Sequence, residues 1–329
     1  MTLAILYKLL AIVIAVTLGW IAGRARWLGR PEEGSDPARV LGNAAFYIFV
    51  PALLFRTTAR LDFQALPWRT LAAFFTPTLL SLALVYAWQR RWNRSRRLPP
   101  AAPAVRAISA SFGNTIQVGI PMAAAMFGEA GLGIHITVVS LHALILLIVL
   151  TVLVELDLAR DRARSEVGAT LLQTLATTAR NTVIHPVVLP VLAGLSWNAL
   201  GLPLPPPMDE VLQLLGSAVV PLCLVLIGMS LAYYGLQGRV KSAIAISAVK
   251  LLALPALVLT VAHWGFHLVG LPLKVVVMVA ALPVGSNALI FAQRYRTLQS
   301  EATAAIVFST LGFTLTAPLW LAVLGWLGA

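Results

Sequence analysis

Apolar residues fall in long blocks along the chain, and polar residues are gathered into the short gaps between them. The blocks run 3–22, 40–58, 67–88, 104–127, 131–154, 170–195, 210–234, 240–267, 272–293 and 301–325. Each holds about 20 residues with few charges, enough to cross the hydrocarbon as a helix. The pattern predicts an all-α polytopic membrane protein of ten transmembrane helices, a single transmembrane domain over 1–329. The first block has no basic stretch ahead of it, carries Lys8 and is followed by "GRARW". It reads as a retained span and not as a cleaved leader.

Two blocks break the pattern from within. The fourth contains "SFGNTIQVGIPMAAAMFG" (111–128) and the ninth contains "ALPVGSNALIFAQRY" (281–295). Proline lacks the backbone N–H and clashes with the carbonyl four residues earlier, so Pro121 and Pro283 should interrupt their helices. The freed backbone groups cannot face lipid, which confines such a break to protein interior or a wet cavity. A half-helix that starts at each break directs unpaired N–H groups and a positive dipole end into that cavity, a ready anion site. Asn114, Gln117 and Gly119 beside the first proline, and Gly285, Ser286 and Asn287 beside the second, are the candidate substrate-binding set. The plainer alternative is a pair of proline kinks packed by their neighbours, with Asn and Gln joining helices.

Charge fixes the expected orientation. Residues are 59% hydrophobic and 11% charged, and the net charge is +12. Mean hydropathy is +0.88. One set of alternate loops carries Arg24, Arg26, Arg30 and Arg39; Arg90, Arg91, Arg94, Arg96, Arg97 and Arg106; Arg160, Arg162 and Arg164; Arg239 and Lys241; and Arg294 and Arg296. The other set has Arg56, Arg60, Arg69 and Lys274. The first set is therefore expected on the cytoplasmic side of the cell membrane, with both termini outside. This bias accounts for the basic balance without a nucleic-acid partner. Five spans on each side of "ELDLARDRARSEVGA" (155–169) put the two halves, about 1–158 and 168–329, in opposite orientations, as inverted repeats require. "FVPALLF" (49–55) matches "VVPLCLVLIG" (219–228), Pro77 matches Pro255, and the two proline breaks match each other.

The ionisable residues restrict the chemistry. Glu32, Glu33, Asp36, Asp62, Glu129, Glu155, Asp157, Asp161, Glu166, Asp209, Glu210 and Glu301 all fall in loops or at span ends. With no carboxylate in mid-membrane, a paired-acid enzyme site, a carboxylate proton relay and a charged sodium cage lack their parts. No enzyme, metal or cofactor is expected. Cys223, the single cysteine, reads as a small buried filler. His135 and His142 share a helical face, and His142 sits mid-span, a packing residue or a supporting charge. Lys250 lies about ten residues from either end of its span, too deep to snorkel to an interface. It either tethers loose carbonyls at the breaks or helps to neutralise an anion. "STLGFTLTAP" (309–318) reads as hydroxyl glue between helices.

The runs "NTIQVGIP" (114–121) and "MFG" (126–128) resemble the auxin efflux carrier family, as do "VPALLF", "RNTVIHP" (180–186), "VPLCLVLIG", "KLLALP" (250–255) and "ALPVGSNALIFAQRY". The resemblance implies ten helices in two inverted five-helix repeats, with broken helices 4 and 9 crossing at the substrate site. It also implies a dimeric scaffold of helices 1, 2, 6 and 7, and a transport unit of helices 3–5 and 8–10. The chain departs from the family pattern where Asn181 and Pro186 are separated by "TVIH", so span six is expected to begin or bend differently. On this reading the chain is a secondary transporter of a small organic anion, a carboxylate or auxin-like acid, working by elevator-type alternating access as a homodimer in a bacterial inner membrane. The alternative class is an anion channel or a membrane receptor of the same fold.

Overall fold

The computed structural model describes residues 3–29, 36–61, 66–96, 98–165, 180, 183–184, 186–234 and 240–327. Among these the regular structure is entirely helical. In chain order the helices are α1 (Leu3–Arg24), α2 (Pro37–Ala59), α3 (Trp68–Arg96), α4 (Ala102–Ser111), α5 (Ile120–Ser165), α6 (Val188–Ala199), α7 (Pro206–Tyr234), α8 (Val240–Gly265), α9 (Gly270–Ala281), α10 (Asn287–Arg294) and α11 (Gln299–Trp326). Among the described residues six stretches are long and apolar enough to cross a membrane: Pro37–Ala59, Trp68–Trp92, Met126–Asp161, Pro206–Tyr233, Val240–Gly265 and Gln299–Trp326. The chain is a multi-pass membrane protein.

Several helices outrun their apolar blocks because polar residues extend or cap them. Asp36 accepts from the N–H groups of Ala38 and Arg39, and Pro37 follows at the first helical position, so α2 begins three residues before its block. α3 continues to Arg96 and α5 to Ser165. Their polar ends are joined at Asp157, which accepts from Tyr86 at 2.6 Å and pairs with Arg90 at 3.3 Å. The sixth block, expected over 170–195, has its described helix at Val188–Ala199, while 170–179, Asn181 and His185 lie outside the described residues.

Two packing groups flank the centre. In the first, α1 lies along α7, and α2 lies along α6 and α7. Small residues allow the close approach: a Cβ on Gly19 would overlap the Val225 carbonyl, and one on Gly228 the Val16 carbonyl. Asn198 on α6 donates to the carbonyls of Ala59 and Leu61, at 3.0 and 2.8 Å, and so caps the end of α2. In the second group α3 packs on α4, α8 and α9, and α11 on α8, α9 and α10. Arg106, assigned above to a cytoplasmic loop, is instead buried within α4. It makes a two-pronged pair with Glu301 of α11, at 2.6 and 3.0 Å, and donates to Gln89 of α3 at 2.7 Å. Arg106 is held in the interior because it has its own carboxylate in Glu301, a partner 195 residues away that linear sequence does not display.

Candidate functional site

α4 stops at Ser111 because the chain turns extended at Phe112, and helix resumes as a wide π-type turn over Thr115–Gly119 that leads into α5. α9 stops at Ala281, Leu282 is extended, and α10 resumes at Asn287. The two interruptions meet as a short antiparallel bridge between Gly113 and Val284. The Asn114 N–H donates to the Pro283 carbonyl at 2.8 Å, and the Gly285 N–H donates to the Phe112 carbonyl at 2.9 Å. Gly285 is required by space: a Cβ there would stand 2.8 Å from the Gly113 oxygen and 2.8 Å from the Phe112 ring.

Other freed backbone groups find side chains. Lys250, fully buried in a π-type turn of α8, donates through Nζ to the carbonyls of Ala280 and Leu282, both at 2.6 Å. Its Nζ also lies 3.6 Å from where a Gly113 Cβ would be. The Val284 N–H donates to Ser309 Oγ of α11 at 2.9 Å, and Ser309 donates on to Ile306. Of the hydroxyls in 309–318, Ser309 bridges helices, whereas Thr310 and Thr314 bond carbonyls of their own helix. The Thr115 carbonyl meets His135 Nε2 at 2.8 Å. His142 packs its ring on Phe112, 4.4 Å between centroids, and on Phe74.

Beside the bridge lies a cavity of about 110 Å³. A water needs roughly 10–15 Å³ on the same measure, so it has room for a small organic molecule with some water. Asn114, Gly285, Ser286 and Asn287 line it, together with Gly113 and Thr115. Of the remaining sequence candidates, Pro283 sits directly behind in the bridge, and Gly119 is buried against His135. Lys250 and His142 stand behind the cavity wall and do not line it. The side chains of Gln117 and Pro121 lie outside the described residues.

The rest of the lining reads as ordinary apolar span in the sequence. Leu53, Leu54 and Thr57 of α2 and Val219 and Val220 of α7 supply the side opposite the bridge, and Val139, Ser140 and Ala143 of α5 adjoin the bridge. The hydroxyls of Thr57 and Ser140, in apolar spans, were the visible signals among them. Cys223, expected as filler, is buried and within hydrogen-bonding reach of Ser286.

The family model described as "Membrane transport protein" matches residues 4–321. The chain belongs to that family. This membrane transport protein is 24% identical over 318 residues to the uncharacterized transporter YfdV of Escherichia coli (strain K12), which covers 96% of each chain. It is 26% identical over 323 residues to an uncharacterized transporter of Methanothermobacter thermautotrophicus, covering 96% of this chain and 97% of that one. A probable auxin efflux carrier component 3b of Oryza sativa subsp. japonica is 29% identical over 164 residues, 47% of this membrane transport protein and 27% of the plant chain.

Proposed function

We propose that this membrane transporter is a secondary carrier of a small organic anion, a carboxylate or auxin-like acid, and that the cavity beside the bridge is its substrate site. The observation that carries the reading is the meeting of two interrupted helices, at Gly113 and Val284, next to a cavity lined by Asn114, Ser286 and Asn287. The positive ends of the Thr115 turn and of α10 offset the negative ends of α4 and α9, and the Lys250 amine, buried behind the bridge, favours an anion. The proposed architecture is ten helices in inverted repeats, about 1–158 and 168–329, with broken helices 4 and 9 crossing at the bridge. Helices 1, 2, 6 and 7 form the scaffold and a homodimer interface, and helices 3–5 and 8–10 form an elevator-type unit. Support comes from the cavity walls: α2 and α7 make one side, and the bridge segments with α5 make the other. Sliding one wall against the other would carry the site across the membrane.

Asn114→Ala and Asn287→Ala test the site. Each should weaken binding of a transported anion by about tenfold or more, with less than about 1 kcal/mol lost from folding, because each side chain serves a cavity and not apolar packing. Wild-type affinity in both variants, measured by ligand-induced thermal stabilisation, would place the site elsewhere.

A further inference from the structure

We infer that the site is matched to one negative charge, so that its substrates are monocarboxylates and their dicarboxylate counterparts are refused; this rests on the anion-carrier reading above. Four helix ends converge on the bridge. α4 and α9 arrive with their C-terminal ends, while the Thr115 turn and α10 leave with their N-terminal ends. Each end carries about half an elementary charge, negative for the first pair and positive for the second, so the four cancel. What remains is Lys250, one buried amine held on the α9 carbonyls, which supplies a single positive charge when protonated. The nearby arginines do not add to it. Arg106 is paired with Glu301 and Arg56 with Asp209, while Arg60, the surplus cation of that group, has a side chain 55% exposed, where water and salt screen it.

The lining beyond the bridge offers nothing to a second carboxylate. Every described residue lining the cavity is uncharged. Its two wall hydroxyls have already spent their hydrogens: Thr57 donates to the Leu53 carbonyl at 2.7 Å and Ser140 to the Thr137 carbonyl at 2.8 Å. Both therefore turn oxygen lone pairs toward a ligand. They accept a ligand hydroxyl or N–H and repel a second carboxylate, which would also lose its water against Leu54, Val139 and Val219.

The test uses the purified full chain and two matched pairs, propionate against malonate and benzoate against phthalate, at a pH where all are fully ionised. Binding is read by thermal stabilisation and transport by uptake into proteoliposomes. The monoanion of at least one pair should bind about tenfold or more tightly than its dianion, with no pair reversed. A dianion that binds as tightly as its partner, or more tightly, overturns the single-charge inference and leaves the anion site standing. No response to any of the four overturns the anion-carrier reading and this inference with it. Ser140→Lys, or Thr57→Lys on the facing wall should Ser140→Lys fail to fold, supplies a second positive charge. It should raise malonate affinity relative to propionate by about tenfold. An unchanged ratio in a folded variant counts against the inference.

Discussion

At the scale of single residues, the centre of this protein is an accounting of backbone groups. Pro255 cannot bond the Leu251 carbonyl one turn earlier, and Trp320 of α11 takes that oxygen through its indole N–H at 2.8 Å. Lys250, in the same turn, does the equivalent for Ala280 and Leu282. Lys250→Met should therefore destabilise the protein by about 1–3 kcal/mol, because it leaves two buried carbonyls without a donor while relieving one buried charge. Ser309→Ala should cost a similar 1–3 kcal/mol by orphaning the Val284 N–H. Thermal unfolding in detergent checks both, and an unchanged midpoint would show that water replaces the missing donor. The sequence marked Lys250 through the expense of a lysine in mid-span, and marked Ser309 only as one hydroxyl among four. Which carbonyls Lys250 holds was not legible, since they lie 30 and 32 residues away.

At the scale of elements, two close approaches set the geometry. Gly285→Ala should abolish anion binding, because the bridge cannot close around a Cβ 2.8 Å from the Gly113 oxygen. Retained binding in that variant would show that the bridge is dispensable. Gly19→Leu should separate α1 from α7 and cost about 1–3 kcal/mol or more, read as a lower unfolding midpoint. Helix existence was legible because apolar length reports directly on membrane crossing. Helix ends were less so: α3 and α5 run on through charged residues that are good helix formers and find partners at Asp157. The candidate site was legible on one wall only. Asn114, Ser286 and Asn287 stand out in apolar spans, whereas Leu54 and Val219 look like any lipid-facing residue until the fold turns them inward.

At the scale of the whole molecule, the proposed topology and energetics make further claims. With Cys223 replaced, a cysteine introduced at Trp92 should react with an impermeant thiol reagent only from the cytoplasmic side; labelling in intact cells would reverse the orientation. Sodium should not stimulate transport. Two unit charges some 6 Å apart repel by about 3 kcal/mol even at an effective dielectric constant of 20, so an ion beside Lys250 would be strongly disfavoured. Equal uptake in sodium and choline buffers is the expected result, and clear stimulation by sodium would defeat the charge argument.

Lys250 is bonded to the end of α9, so any displacement of α9 takes a positive charge with it. Carrying one elementary charge through a membrane potential of 100 mV is worth about 2.3 kcal/mol. On the proposed elevator mechanism, a unit with Lys250 protonated and one anion bound would be neutral and indifferent to voltage, whereas the empty unit would be cationic and drawn toward a negative cytoplasm. The resting potential would then return the vacant site to face inward after each release and so favour export. Voltage steps applied without substrate should produce a transient charge movement that a saturating anion suppresses.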